Sequence, residues 1–213
     1  MKLIAFFILL LLPVVASAQG GPYTAANELR GSGTIVQETK PVAAFRELHI
    51  SQFPATVTVE TGAAESSVTV SIDDNLRSLL QLRQEPGKLF VSFTSEPNGQ
   101  WVNKATIRVL VKTPHLHRLR HESNSDVLVR GLAGESFDLT NEANGSVTLV
   151  GLVDTLNVVS RANGPVDAGE LPVRVANIVT NANATLRINA QAVHEINAAH
   201  ATITNQVKRP RPH

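Results

Sequence analysis

The 213-residue chain contains no cysteine. No disulfide can staple it, and no thiolate can serve as a nucleophile or a metal ligand. Aromatic residues are scarce: seven Phe, one Trp and one Tyr. A core must therefore be built from Val, Leu, Ile and Ala, which suits thin repeated layers better than one thick sandwich. There is no excess of charge of either sign, the formal net charge being +1. That balance gives no electrostatic drive toward nucleic acid or an anionic membrane. The one basic cluster, Lys208-Arg209-Pro210-Arg211-Pro212-His213, is short and broken by proline, and reads as a solvated tail. Beyond the N-terminus no run is apolar enough to span a bilayer.

The N-terminus itself carries an export signal. Lys2 is a minimal positive region, and residues 3–12 form an apolar run. Pro13 breaks that run and Ala16-Ser17-Ala18 supplies the small-x-small cleavage pattern. The whole stretch is shorter than the ~20 apolar residues a membrane span needs. Residues 1–18 are thus expected to be removed, leaving no integral span. A protein in the periplasm, on the outer surface or secreted is the expectation. Residues 19–34 show little periodicity and read as a flexible leader, with Gly31-Ser32-Gly33 as its last loose hinge.

From Ile35 to Lys112 the chain alternates apolar and polar residues in short runs. Phe45-Arg46-Glu47-Leu48-His49-Ile50, Ala55-Thr56-Val57-Thr58-Val59, Val68-Thr69-Val70-Ser71-Ile72, Leu89-Phe90-Val91-Ser92-Phe93 and Thr106-Ile107-Arg108-Val109-Leu110-Val111 all have period two. Period two with β-branched residues predicts strands. Turn residues separate them: Thr61-Gly62, Asp73-Asp74-Asn75, Glu85-Pro86-Gly87-Lys88 and Glu96-Pro97-Asn98-Gly99. Pro86-Gly87 suits a type II turn, with Gly taking positive φ. Only Asn75-Leu76-Arg77-Ser78-Leu79-Leu80 is compatible with a helical turn.

The C-terminal half repeats. Asn124, Asn144, Asn163 and Asn183 lie 20, 19 and 20 residues apart, each preceded by a small residue (Ser123, Ala143, Ala162, Ala182). Aliphatic columns run in register with them: Val127, Val147, Val166 and Leu186; Val129, Leu149, Ala168 and Ile188; Leu119, Leu139, Val158, Ile178 and Ala198; Phe137, Leu156, Ala176 and Ile196. Leu132, Leu152 and Leu171 make a further, shorter column. A fixed period near 20 signals stacked units that bury their columns against one another. The expected fold is all-β: a right-handed parallel β-solenoid (β-helix) of short coils, preceded by a set of short strands. It is expected as a single domain over 35–207, with 208–213 as the tail. The small-Asn pair predicts a tight corner, with Asn tolerating left-handed φ and stacked Asn side chains able to hydrogen-bond along the axis. The last unit decays, with Ile203 displaced and Gln206 where an aliphatic should fall.

These motifs, in this order, resemble the bacterial GIN domain, described as the head domain of auto-transporter adhesins. The resemblance rests on Gly31-Ser32-Gly33, the opening strand from Val42 to Ile50, Ala55-Thr56-Val57-Thr58-Val59-Glu60, Val68-Thr69-Val70-Ser71-Ile72-Asp73-Asp74-Asn75, Gly87-Lys88-Leu89-Phe90-Val91 and the Asn-centred repeats. It covers roughly 29–207. It implies an exported β-solenoid protein with adhesion as its suggested role, and it brings no catalytic residues.

Chemistry-bearing clusters are few. Polysaccharide cleavage would need paired carboxylates. Asp126 is followed in its column by Ser146, Pro165 and Thr185, Asp138 by Asn157, Asn177 and Asn197, and Asp167 falls between Thr148 and Arg187. No acidic pair stacks in these columns, and Glu135 and Asp138 straddle a turn. His115-x-His117-x3-His121 is the one His cluster. Two His at i and i+2 share a strand face, but Pro114 and flanking leucines favour an ordinary strand entry, with His117 in the buried Phe137 column. No catalytic, cofactor or metal site is expected, and no enzyme. Asn144-Gly145-Ser146 and Asn183-Ala184-Thr185 match the glycosylation pattern but sit at the corners. The column between two buried columns must point outward. It reads Arg118, Asp138, Asn157, Asn177, Asn197 and forms a strip for a glycan or a cell-surface protein. The expected function is a non-enzymatic adhesin-like binding protein. The alternatives are a carbohydrate-active enzyme and a structural envelope protein that self-associates.

Overall fold

The computed structural model describes residues 28–52, 54–94, 101–103 and 105–207. The signal, most of the leader, the Glu96-Pro97-Asn98-Gly99 turn and the basic tail lie outside the described residues. The fold is all-β. Seven short strands come first: β1 (Glu28–Arg30), β2 (Ile35–Pro41), β3 (Phe45–Ser51), β4 (Thr56–Thr61), β5 (Ser67–Asp73), β6 (Leu80–Glu85) and β7 (Gly87–Phe93). A 3-10 turn over Asp74–Leu79 lies between β5 and β6, on the segment read as a helical turn. Then follow β8 (Trp101–Asn103), β9 (Ile107–Thr113), β10 (Arg118–Glu122), β11 (Asp126–Asn141), β12 (Val147–Ser160), β13 (Val166–Thr180), β14 (Thr185–Asn197) and β15 (Thr202–Asn205). Among the described residues, no helix is long and apolar enough to cross a membrane.

Apart from the β1–β8 pair, the strands join one large, mostly parallel sheet. Its long strands β11 to β14 each serve two rows. Their first halves continue the row β2-β5-β9-β4, and their second halves continue β6-β7-β3-β10. Within each row the apolar residues stack strand on strand. One column runs Val70, Val109, Val57, Val127, Val147, Val166, Leu186, Ile203. The other runs Leu89, Leu48, Leu119, Leu139, Val158, Ile178. Leu48, Leu89, Leu119, Val57 and Val147 are fully or almost fully buried, and all these columns share one hydrophobic core. The N-terminal strands therefore continue the columns of the repeat although they lack its period. At β6–β7 the two-residue loop Pro86-Gly87 closes an antiparallel hairpin, with Gly87 at φ 75°.

Five expectations are corrected. Gly31-Ser32-Gly33 is not a loose hinge: the Ser32 N–H donates to Asn75 Oδ1 at 3.0 Å and the Gly33 N–H to Asp73 Oδ1 at 2.7 Å. Asp73 is buried and also accepts from the Thr106 N–H at 2.7 Å. The two motifs that are about 40 residues apart in sequence form one clamp, and a Cβ on Gly31 would lie 2.5 Å from the Asp73 carboxylate. The corner asparagines do not take positive φ, a conformation that Gln52 alone among the described non-glycine residues adopts. They work through their side chains instead. Asn124 Oδ1 accepts from the Asn144 N–H at 3.3 Å, and Asn163 Oδ1 from the Asn183 N–H at 3.1 Å. The close packing falls to glycine: a Cβ on Gly145 would meet the Ser125 carbonyl at 2.0 Å.

The third correction is the leucine column. Leu132 and Leu171 are buried but Leu152 is 66% exposed. A register shift after Val129 sets Leu132 against Gly151 rather than Leu152. A shift of one residue turns a strand's side chains to the opposite face, so Val153 enters the core and Leu152 leaves it. Fourth, β13 takes five steps from Asp167 to Pro172 where β14 takes two from Arg187 to Asn189. The unit loses three residues inside its bend, where counting from Asn to Asn cannot see it. Ile178 thus pairs with Glu195 rather than Ala198, Ala176 with Val193 rather than Ile196, and Ile203 stays in the Leu186 column rather than leaving it. Fifth, His117 is exposed rather than buried.

Candidate functional site

The predicted strip lies on the outward face of the second row, where alternation turns every second side chain away from the core. Arg118 pairs with Asp138, Asp138 with Asn157 and Asn157 with Asn177. Asn197 does not join them. The three-residue shortening of β14 puts His194 beside Asn177 and sends Asn197 opposite Thr180, whose hydroxyl donates to Asn197 Oδ1 at 2.9 Å. In the other direction the row extends onto strands outside the repeat, through Glu47 of β3 and Lys88 of β7. The structure thus brings together four of the five expected residues and adds Lys88, Glu47 and His194.

Hydrogen bonds join almost the whole row. Lys88 Nζ lies 3.1 Å from Glu47 Oε2, and Arg118 Nη1 donates to Glu47 Oε1 at 3.1 Å. Arg118 Nη2 donates to Asp138 Oδ2 at 3.0 Å. Asn157 Nδ2 donates to Asp138 Oδ1 and Asn177 Nδ2 to Asn157 Oδ1, each at 2.8 Å. The direction of this ladder follows from its first member. An ionised carboxylate only accepts, so Asn157 must present its amide N–H to Asp138 and its carbonyl to the next strand. Asn177 then has to donate in turn, Nδ2 to Asn157 Oδ1. Asp138 sets the polarity of both amides.

A parallel row runs alongside: Phe90, His49, Arg120, Thr140, Val159, Val179, Ile196. Its first members are Phe90, His49 and Arg120 and its last three are aliphatic, ending in Ile196 at 67% exposure. At the charged end, Glu47, His49, Lys88, Phe90, Arg118 and Arg120 line a shallow depression of about 230 Å3. Arg83 stacks over Phe90 at 3.8 Å. His49 Nε2 lies 2.7 Å from Glu122 Oε2, and Arg120 bridges Glu122 and Glu142. Burial alone would raise the Glu122 carboxyl, but the hydrogen bonds with His49 and Arg120 help to outweigh it and bring it down to about 2. Glu122 and Glu142 are the acidic neighbours that counting along the Asp columns missed. A general acid must carry a proton at working pH, and Glu122 is ionised there. Glu135, the other carboxylate considered for catalysis, is exposed.

The histidine cluster disperses. His115 and His117 are exposed, while His121 is fully buried. His121 Nδ1 meets Asn141 Oδ1 at 2.9 Å and its Nε2 meets Ser125 Oγ at 3.1 Å. It begins a buried polar column, His121, Asn141, Ser160, Thr180, that ends at Asn197. Burial is the first cause that lowers the His121 pKa, against the opposing hydrogen bonds to Asn141 and Ser125. Among the described residues, no group of His, Asp and Glu is arranged to hold a metal ion.

The family described as "Putative auto-transporter adhesin, head GIN domain" matches residues 44–202. The chain belongs to this family. Residues 44–202 hold the whole row from Glu47 to His194, so the strip is part of the GIN domain itself. A solved structure described as a "putative adhesin" from Bacteroides fragilis superposes with a TM-score of 0.62 at 14% identity, over 83% of this chain and 99% of that chain. At that identity the likeness shows the fold. A second "putative adhesin", from Parabacteroides distasonis, aligns at 15% identity and TM-score 0.47 over 83% of this chain and 98% of that one. No curated protein matches the chain. GIN strands outside the repeat supply two of the row's seven members, which is why Lys88 and Glu47 escaped a reading anchored on the Asn repeats. Their signal was present: Glu47-Leu48-His49-Ile50 alternates as Arg118-Leu119-Arg120-His121 does.

Proposed function

We propose that the chain is a non-enzymatic, exported, adhesin-like binding protein, with the row through Asp138, Asn157 and Asn177 as its contact strip. The stacked strands serve as a rigid display frame, a right-handed parallel β-solenoid acting as one domain over 35–207. Right-handedness follows from the bias of parallel crossover connections. Export rests on the signal at 1–18, and membership of an adhesin-like family fits an exported or surface protein. The partner is a glycan or a cell-surface protein. The observation that carries this reading is the one-way amide ladder on an outward sheet face. Each amide is held at fixed spacing by the strand below it, so little ordering entropy is lost on binding. The test is adhesion of the purified protein to a panel of immobilised glycans and cell surfaces, with reducing-sugar release measured in parallel. Binding that is lost in a folded Asn157→Ala/Asn177→Ala variant, without sugar release, supports the reading. Binding that persists in the variant removes the strip from it, and release of sugar replaces it with an enzyme.

A further inference from the structure

We infer that the strip takes an extended, uncharged, β-1,4-linked polysaccharide laid across the strands, one sugar to a strand; this rests on the binding role proposed above. Two neighbouring rows carry the inference. Asn157 and Asn177 occupy one, and Thr140, Val159, Val179 and Ile196 the other. Asn177 and Ile196 are exposed, and Asn157, Thr140, Val159 and Val179 are half-buried. Groups in each row repeat at the strand separation, about 4.8 Å. A β-1,4-linked chain in its flat ribbon form advances by nearly the same distance per sugar. An α-1,4-linked chain coils and falls out of step.

The chemistry of the two rows matches the two sides of such a ribbon. A β-pyranose has an apolar C–H face and an equatorial rim of hydroxyls. The aliphatic row offers a floor for the face, and the amide row meets the rim. After the ladder's internal bonds, Asn157 keeps one N–H and one carbonyl lone pair. Asn177 keeps one N–H and its whole carbonyl. Hydroxyls both donate and accept, and these groups answer both needs. Asn157, Asn177, Val159 and Val179 carry no charge, and the nearest carboxylate, Asp138, is already engaged by Arg118 and Asn157. An uncharged chain therefore leaves no charge unpaired. The two amides point the same way along the stack, and a sugar chain is also directional, so one orientation of the chain is favoured.

The experiment is calorimetric titration of the purified protein, expressed from the full-length chain, with cellohexaose, chitohexaose, maltohexaose and the corresponding disaccharides. One β-1,4 hexamer is expected to bind at least about tenfold more tightly than its dimer and than maltohexaose. Two neutral hydrogen bonds at about 1 kcal/mol each set the scale for Asn157→Ala/Asn177→Ala, a loss of about tenfold or more. Val159→Glu is expected to weaken binding comparably, since it puts a charge on the floor. Lys112→Ala, at an exposed ion pair with Glu60 in the other row of strands, is expected to leave affinity unchanged. Equal affinity for maltohexaose, no gain with length, or no effect of the asparagine pair would overturn the inference. If no hexasaccharide binds, the inference also falls. The adhesin reading then survives only if surface binding is still lost in the Asn157→Ala/Asn177→Ala variant.

Discussion

The buried polar column offers the sharpest perturbation, Asn141→Leu. Asn141 is fully buried, and its Nδ2 donates to the Gly164 carbonyl at 3.2 Å. A carbonyl cannot donate, so the amide orientation is fixed and Oδ1 must face His121 Nδ1 at 2.9 Å. His121 therefore carries its proton on Nδ1 and accepts the Ser125 hydroxyl on Nε2. Leucine keeps the volume but leaves the His121 N–H and the Gly164 carbonyl without this partner. Each such loss costs about 1–3 kcal/mol. Added apolar burial returns about 1 kcal/mol. The net expectation is a destabilisation of about 1–5 kcal/mol, which for a chain of this size lowers the melting temperature by roughly 2–20 °C.

Urea denaturation followed by circular dichroism measures the difference, with the slope checked for constancy. The double variant His121→Phe/Asn141→Leu removes both ends of the bond and should recover about 1 kcal/mol or more relative to the sum of the single changes. A cost below about 0.5 kcal/mol for Asn141→Leu would mean that the two groups are not dry or not paired. The polar column would then not be what holds this corner.

Three further outcomes follow from other parts of the fold. Gly145→Ala, whose Cβ would sit 2.0 Å from the Ser125 carbonyl, should cost more than about 3 kcal/mol; Gly134→Ala meets nothing within 4 Å, so only the backbone strain at φ 135° remains, about 1–3 kcal/mol in the same melts. Glu122 is held at about 2, below its ordinary 4.5, so its stabilising contribution is complete above about pH 4.5 and is lost as pH falls toward 2; Glu122→Gln should flatten the stability profile in that window, and an unchanged slope would refute the assignment. Leu152→Ser changes a side chain that is 66% exposed and should shift stability by less than about 0.5 kcal/mol, whereas Val153→Ser, at its buried neighbour, should cost about 2 kcal/mol or more.

The repeat was legible because each aliphatic column stacks on its own copies in successive strands, so the period appears directly in the sequence. The columns beginning at Val127 and Leu119 could be read strand by strand from Asn124 to Asn183. Changes within a unit could not. A bulge after Val129 leaves the corner-to-corner count almost intact, and the three-residue shortening between Arg187 and Asn189 lies beyond the last corner asparagine, Asn183. They nonetheless exchange Leu152 for Val153 and Asn197 for His194. The outer row was legible where it repeats and hidden where it continues into β3 and β7, since those strands reach it by connections of other lengths. The Asp73 clamp on Gly31-Ser32-Gly33 needed the structure, because nothing local in either motif names its partner.

The C-terminal end shows how such a stack is stopped. Among the described residues, β15 pairs only with Thr185–Ile188 of β14, which leaves the remainder of β14 as an edge. Where β15 ends, Asn205 closes the gap with its side chain: Nδ2 donates to the Ala190 carbonyl at 2.8 Å and Oδ1 accepts the Ala190 N–H at 3.1 Å. Beyond it, Glu195 occupies the column position that Leu139, Val158 and Ile178 fill in preceding strands, and it is exposed. A charge at a core-column position on an edge strand discourages a further strand from adding. With Val193 half-buried and Ile196 exposed on either side, removing that charge should open the edge. Glu195→Leu is therefore expected to raise self-association above that of the unaltered protein in sedimentation velocity, with its melting temperature at low concentration nearly unchanged. Equal sedimentation of the two proteins across the concentration range would show that Glu195 does not guard the edge. If the unaltered protein already assembles through this edge, the structural envelope role gains over the adhesin, because the charge is then tolerated within the assembly.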